Sequence, residues 1–171
     1  MAVVGIDLGT TNSLVSVWQD GNSVIIPNAL GDRLTPSVVS VDEQGMVLVG
    51  KAAKDRLVTH PELTASQFKR LMGSAEKLNL GKRSYSAEEL SALVLKQLKA
   101  DAESYLGEPV DEAIISVPAY FNNNQRTATL NAARLADLKV ERLINEPTAA
   151  SLAYGIQETE EERRFIVVDL G

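Results

Sequence analysis

The same short phrase closes two apolar runs of this chain, one near each end of the sequence. Asp-Leu-Gly stands at residues 7–9 after Val3–Ile6, and again at residues 169–171 after Phe165–Val168. A β-branched run predicts a buried strand, and glycine permits a tight turn directly after it. Such a turn can point backbone N–H groups and hydroxyls at a phosphate, while the aspartate at the strand end faces a metal. The repeat therefore predicts two related phosphate-binding turns, of which the second stops at its glycine.

Composition limits the class of protein. A chain of 171 residues fits one domain with a sizeable core, and 44% hydrophobic with 23% charged residues is ordinary for a globular protein. The net charge of −6, with no strongly basic stretch, argues against nucleic acid or an anionic membrane as a partner. The chain has no cysteine, no apolar stretch of about 18 residues, and no signal-peptide pattern in residues 1–20. We therefore expect a cytoplasmic protein without disulfides.

The hydrophobic periodicity predicts an antiparallel meander followed by alternating strands and helices. The expected strands are 3–6, 14–18, 23–26, 37–41, 46–49, 113–117, 140–144 and 165–169, and the expected helices are 51–58, 65–72, 88–106, 122–136 and 147–154. Residues 73–85 have loop composition with room for a small hairpin, and Ser86 with Glu89 forms a capping box. Strand–helix alternation implies parallel strands, so the fold class is α/β.

The first Asp-Leu-Gly turn carries the most specific chemistry. Asp7 can hold a hydrated Mg²⁺ through its carboxylate, and Gly9 lacks the Cβ that would block a phosphate. Thr10 and Thr11 offer N–H and hydroxyl donors to phosphoryl oxygens, which is most of what phosphoryl transfer asks of a protein. The alternative is an ordinary polar hairpin turn, and the second copy of the phrase favours the phosphate.

Local sequence leaves two interpretations open for Glu146, Lys69 and Arg126. Glu146 falls between a strand and a helix, where it could orient a water or a metal's hydration shell, or simply answer the helix dipole. Lys69 stands between apolar residues and is either aimed at a ligand or a plain surface lysine, and Arg126 is interpreted likewise. Pro118 is most simply a strand stop. The residues alone do not decide among these.

Four segments together resemble the DnaK-type, 70-kDa heat-shock chaperones of the actin-like ATPase superfamily. Similarity runs through essentially the whole chain, and the shorter region 73–85 resembles the specialised HscC-type members. The four segments are Gly5–Ser13, Lys69–Gly73, Val117–Asn122 with Gln125-Arg126, and Ile144–Ala150 with Ala153–Gly155.

The resemblance implies a fold. It implies an actin-like ATPase (ribonuclease H-like) lobe, with a mixed five-stranded sheet, packed helices and a small α+β insertion. Residues 1–171 would be the first lobe of a nucleotide-binding domain, cut off at the start of the second lobe, with the inserted subdomain within about 28–110. The adenosine pocket and the peptide-binding domain would then be missing, so we expect this chain alone to be a weak ATPase.

The resemblance also implies roles for individual positions, with ATP or ADP and Mg²⁺ as cofactors. A J-domain co-chaperone, unfolded client peptides and a nucleotide-exchange factor are the implied partners. Asp7 and Asp169 correspond to the aspartates flanking Mg²⁺, Glu146 to the acid that links metal and nucleophile, and Lys69 to the lysine that places the γ-phosphate and the attacking water. The first phosphate loop corresponds to Gly9, Thr10, Thr11 and Asn12, and the second phosphate loop begins at Gly171. Pro118 and Arg126 correspond to the switch pair that reports the nucleotide state. The surface for the interdomain linker and the J-domain corresponds to Arg142, Asn145 and Thr148.

Two further classes share parts of this pattern. Bacterial actin-like filament proteins also open with Asp-Leu-Gly-Thr and have a Glu-Pro pair in the corresponding place. Sugar kinases of the same superfamily open with a similar Gly-Thr-Thr loop. The full string at residues 145–148 and the Lys69 segment argue against filament proteins, and no dedicated polar cluster for a sugar is evident in the sequence.

Overall fold

The computed structural model describes residues 2–155 and residue 167. The expected strand 165–169, with Asp169 and Gly171, falls outside the described residues apart from Val167. Within the described part, no helix is both long and apolar enough to cross a lipid bilayer.

The strands are β1 (Val3–Asp7), β2 (Asn12–Gln19), β3 (Asn22–Ile26), β4 (Thr35–Pro36), β5 (Val38–Val41), β6 (Val47–Val49), β7 (Thr64–Ser66), β8 (Lys77–Leu80), β9 (Arg83–Ser86), β10 (Glu112–Val117) and β11 (Lys139–Asn145). The helices are α1 (Lys51–Lys54), α2 (Arg56–Thr59), α3 (Ala87–Leu106), α4 (Asn123–Leu135) and α5 (Glu146–Gly155), with 3-10 turns at Pro61–Leu63 and Phe68–Leu71.

A mixed sheet with the order β11-β10-β1-β2-β3 forms the centre of the fold. The meander β1-β2-β3 is antiparallel, whereas β10 runs parallel to both β1 and β11, and β4 pairs with the start of β2. This confirms the expected α/β class, with a five-stranded path. Because β1, β10 and β11 are parallel, their carboxyl ends lie at one edge, where α/β folds bind ligands.

Two helices cover one face of this sheet and form the core with it. The α3 capping box is present, with the Glu89 amide donating to Ser86 Oγ at 3.2 Å and the Ser86 amide donating to Glu89 Oε2 at 2.7 Å. Leu90, Leu95 and Leu98 of α3 are fully buried, which stabilises the fold by about 1.5–3 kcal/mol for each side chain. The α4 helix buries alanines, so it can approach α3 closely. The buried set on these helices is Leu90, Val94, Leu95, Leu98, Ala102, Ala128, Ala132 and Ala133.

Smaller sheets lie between β4 and α3 in the sequence. Strands β6, β5 and β7 form a three-stranded antiparallel sheet, and β8 with β9 forms the hairpin for which residues 73–85 had room. The expected helix at 65–72 was wrong over its first part, because Thr64–Ser66 pairs with β5 as a strand. Only Phe68–Leu71 is helical, as a single 3-10 turn. The domain boundaries of 28–110 stay a prediction.

Candidate functional site

The turn after β1 is held in a fixed shape by a serine far away in the sequence. Ser37 Oγ donates to the Gly9 carbonyl oxygen at 2.7 Å and lies 2.9 Å from Ser13 Oγ, while the Ser37 amide donates to the Thr11 carbonyl oxygen at 2.9 Å. A Cβ on Gly9 would lie only 2.0 Å from the Asn12 carbonyl oxygen, so the turn closes tightly enough to require glycine. Sequence analysis missed Ser37, because its partners lie some two dozen or more residues away.

Asp7 is fixed by the neighbouring parallel strand. It ends β1 opposite Ser116 of β10, and Ser116 Oγ donates to Asp7 Oδ1 at 2.8 Å. The hydroxyl orients the carboxylate at the sheet edge and leaves its second oxygen without a hydrogen bond from the described residues. Ser116 was also missed, although a lone serine between two buried residues, Ile115 and Val117, was a usable signal.

Lys69 is a buried lysine with a carboxylate partner. Phe68 and Met72 on either side of it are 2% and 3% exposed, and Lys69 itself is 7% exposed. Its Nζ donates to Glu146 Oε1 at 2.7 Å and lies 5.7 Å from the centroid of the Phe121 ring, within the range of a cation–π contact. A plain surface lysine would be exposed and would not be held in this way. The geometry therefore agrees better with the interpretation in which the Lys69 ammonium is directed at a ligand.

Glu146 is the first residue of α5 and directly follows β11. Its carboxylate therefore lies at a helix N-terminus, where the dipole favours a negative charge, and it also pairs with the Lys69 ammonium. The position agrees with the helix-dipole interpretation, and the ion pair with Lys69 was not expected from the sequence. The orientation of a water or of a metal's hydration shell by Glu146 stays a prediction.

A pocket of about 310 Å³ joins the first turn to the lysine. We call it the Lys69 pocket; its lining is Thr10, Lys69, Arg70, Tyr120, Phe121 and Gln125. The last four belong to motifs that the sequence singled out, but they were not assigned to the site. A larger depression of about 570 Å³ beside Leu130 and Arg134 contains none of the predicted site residues. We take the Lys69 pocket as the candidate functional site, because cationic and hydroxyl donors converge there.

Arg126 connects the end of β10 to the end of β11. Its Nε donates to the Phe121 carbonyl oxygen at 3.0 Å and its Nη2 donates to Asn145 Oδ1 at 2.7 Å. The Phe121 amide in turn donates to the Pro118 carbonyl oxygen at 3.1 Å, so Pro118 and Arg126 meet through one residue. Asn145 immediately precedes Glu146, and the arginine thereby reaches the residue next to the pocket's acid.

The other residues of the expected coupling surface are exposed. Arg142 lies on β11 and Thr148 in the first half of α5. Among the described residues, neither side chain has a hydrogen-bond or ion-pair partner, and their place in a partner surface stays a prediction.

The carboxylates fit a hydrated magnesium ion. Asp7 and Glu146 each use one oxygen within the protein and keep a second for water, and oxygen donors through water are what Mg²⁺ prefers. Among residues 2–155 and 167 there is no group of three or more metal-ligating side chains. The third expected ligand, Asp169, and the start of the second loop, Gly171, lie outside the described residues.

The shifted pKa values lie away from this pocket. Burial raises the pKa of Asp101 on α3, against smaller opposing effects from the Gln97 side chain and the Ala29 amide. Asp101 Oδ2 is buried without a hydrogen-bond partner. A hydrogen bond from Arg56 lowers the pKa of Glu43. These groups report on the stability of the fold and play no part in the chemistry of the pocket.

Comparison with known families gives one match that spans the site. The sequence model described as Hsp70 protein matches residues 3–80 and 75–171. The matched ranges include the first turn, Lys69, Arg126 and Glu146.

Proposed function

The chain belongs to the Hsp70 family, and on that basis we propose that it grips the phosphate tail of ATP and promotes its hydrolysis as half of a two-turn site. The observation that carries this proposal is the ion pair between the buried Lys69 and the partly buried Glu146, at a pocket that also contains Thr10 of the first turn. A buried lysine ammonium beside groups that can donate hydrogen bonds to phosphate is suited to binding a polyanion such as a triphosphate. The family also disfavours the filament and sugar-kinase alternatives.

The protein's own groups divide the work among binding, orientation and charge stabilisation. The turn at residues 9–12 presents its N–H groups and the Thr10 and Thr11 hydroxyls to phosphoryl oxygens, as phosphate-binding turns do. Lys69 stabilises the charge that develops on the γ-phosphoryl group, beside the buried rings of Phe68 and Phe121. Glu146 accepts a hydrogen bond from the attacking water and orients it.

Magnesium would be held through water by Asp7 and Glu146, with Asp169 as the third carboxylate, and when bound it neutralises phosphate charge. The Lys69 ammonium must exchange Glu146 for phosphate when the nucleotide arrives. The exchange leaves the Glu146 carboxylate free to bind a water. The two side chains therefore neutralise each other before the nucleotide binds and act separately on phosphate and water afterwards.

The coupling residues and partners follow from family membership as proposals. Arg126, through Phe121 and Asn145, would report the state of the pocket to the rest of the protein. Exposed Arg142 and Thr148, together with Asn145, would form the surface for a J-domain co-chaperone and an interdomain linker. Client peptides and an exchange factor would act on the full-length protein in the cytoplasm, and the HscC-type assignment stays a prediction.

Lys69→Ala in the full-length protein tests the proposal. We expect single-turnover ATP hydrolysis to fall by about 10²-fold or more, as for loss of a transition-state electrostatic group, while ATP affinity changes little. Lys82→Ala is the matched control, because Lys82 is an exposed lysine in the β8–β9 turn. Hydrolysis by the Lys69 variant at the rate of the control would refute the assigned role.

A further inference from the structure

Gly73 brings two stretches of backbone into close contact. It ends the segment 67–73, which we call the lysine segment, and has a φ of 75°. A Cβ built on Gly73 would lie 2.9 Å from both the Asn124 carbonyl carbon and the Gln125 amide nitrogen. These are main-chain atoms in the first turn of α4, and they cannot swing aside as the tip of a side chain could. Glycine is therefore required both for the backbone conformation and for the approach.

The lysine segment meets the start of α4 at a second place. The Lys69 ammonium lies over the ring of Phe121, which immediately precedes the N-cap residue Asn122. The α4 end is itself rigid, because Asn122 and Gln125 exchange two capping hydrogen bonds of 3.0 Å. The capped start of α4 thus contacts the lysine segment at two places, Lys69 and Gly73.

The segment between these two contacts is short and internally bonded. The Met72 amide donates to the Lys69 carbonyl oxygen at 3.2 Å, and the Ser74 amide donates to the Leu71 carbonyl oxygen at 3.0 Å. Gln67, at the other end, has a φ of 56°, which few residues other than glycine adopt. Because the turn is compact, a displacement at Gly73 reaches the Lys69 main chain within one turn of helix.

The geometry points to Gly73 as a positioning residue, whose contact with α4 sets where the Lys69 ammonium meets Glu146 and the pocket. Gly73 touches no reacting group and acts only through Lys69. The same contact fixes the lysine segment against the start of α4, the helix that carries Arg126. This inference deepens the proposed function and rests on it for the activity measurement, although the measurement of the ion pair is independent of it.

Another glycine of this chain provides a matched control. Gly107 has a φ of 71°, close to that of Gly73, but a Cβ there would meet nothing within 4 Å. Alanine at either position strains a left-handed residue by a similar amount. Only Gly73→Ala adds the collision with α4, so the difference between the two variants isolates the contact.

The first measurement is the coupling between Lys69 and Glu146 in urea unfolding. Lys69→Met, Glu146→Gln and the double variant are made in the native, Gly73→Ala and Gly107→Ala backgrounds. We expect a coupling of about tenfold in the folding equilibrium constant in the native and Gly107→Ala backgrounds. In the Gly73→Ala background it falls below about twofold, because the ammonium no longer reaches the carboxylate.

The second measurement is ATP turnover by the full-length protein. Gly73→Ala lowers kcat by about tenfold or more while the KM for ATP changes by less than about threefold, as expected when a catalytic group is misplaced but the phosphate turn is intact. Gly107→Ala keeps both constants. A variant that was merely less stable would not separate kcat from KM.

Each outcome decides the inference. Coupling that persists in Gly73→Ala overturns it. Coupling that disappears while turnover stays native supports the positioning of Lys69 but removes the role proposed for the lysine in hydrolysis. If Gly73→Ala does not fold, Gly73→Asn replaces it, because asparagine tolerates the left-handed region yet still carries the colliding Cβ. Failure of that variant too, with Gly107→Ala folded, overturns the inference, since Gly73 would then be a general requirement for folding.

Discussion

Gly9→Ala is the perturbation whose effect the structure fixes most directly. The added Cβ would lie 2.0 Å from the Asn12 carbonyl oxygen and 3.2 Å from its carbonyl carbon. Unbonded heavy atoms prefer about 3.5 Å, so the turn has to open by more than about 1 Å. An opening of that size breaks the 2.7 Å hydrogen bond from Ser37 Oγ to the Gly9 carbonyl oxygen.

The magnitude follows from these two losses. Overpacking a tight site costs about 1–3 kcal/mol, and a lost hydrogen bond costs about 0.5–1.5 kcal/mol. We therefore expect Gly9→Ala to lower the free energy of unfolding by about 2–4 kcal/mol, with a loss of affinity for triphosphate. The assay is urea denaturation followed by far-UV circular dichroism, together with calorimetric titration of ATP in the full-length protein.

Gly5→Ala is the matched control for this prediction. Neither glycine has a left-handed φ, and a Cβ on Gly5 would lie 3.0 Å from Ser16 Oγ and 4.0 Å from the Ser16 carbonyl oxygen. The Ser16 side chain can rotate away with the loss of only one long hydrogen bond, of 3.3 Å, to the Gly5 carbonyl oxygen. We expect a cost below about 1 kcal/mol there. If Gly9→Ala unfolds within about 1 kcal/mol of the native protein, or if both variants lose the same stability, the steric argument for the turn is refuted.

Two further predictions concern groups outside the first turn. Arg126→Ala removes the hydrogen-bonded link from Phe121 to Asn145. We expect that client peptide no longer stimulates ATP hydrolysis, while basal turnover stays within about tenfold of the native rate. Normal stimulation by peptide in a steady-state assay would contradict the relay. Burial raises the pKa of Asp101, so the folded state keeps a proton that the unfolded chain has already lost, and the free energy of unfolding rises as pH falls through that pKa. Asp101→Asn should remove this slope, because the amide does not titrate in this range. Urea unfolding across about pH 4–7 checks it, and equal slopes for the two proteins would contradict it.

Several elements could be predicted from the sequence because their causes are local. The α3 helix has a capping box, an apolar face and a glycine at its end, all within one stretch of chain. The strands β1 and β10 are β-branched runs, and their parallel pairing follows from the strand–helix alternation. The prediction at 65–72 was wrong over its first part, because Thr64–Ser66 takes its conformation from pairing with β5, which the local periodicity does not contain.

For the site, the sequence by itself indicated which residues could carry chemistry, and the tertiary structure decided which of them meet. The glycine-bearing turn is a short motif whose residue types imply phosphate chemistry, whereas the roles expected for the lysine segment and the Glu-Pro string came from the family resemblance. Lys69 and Glu146 are 77 residues apart, Asp7 and Ser116 are 109 apart, and Ser37 supports Gly9 from 28 residues away. The periodicity of hydrophobic residues indicates whether a side chain faces the core. Sheet register and helix packing determine which residues from distant parts of the sequence it contacts. The ion pair, the carboxylate's serine and the contact at Gly73 therefore became visible only in the folded chain.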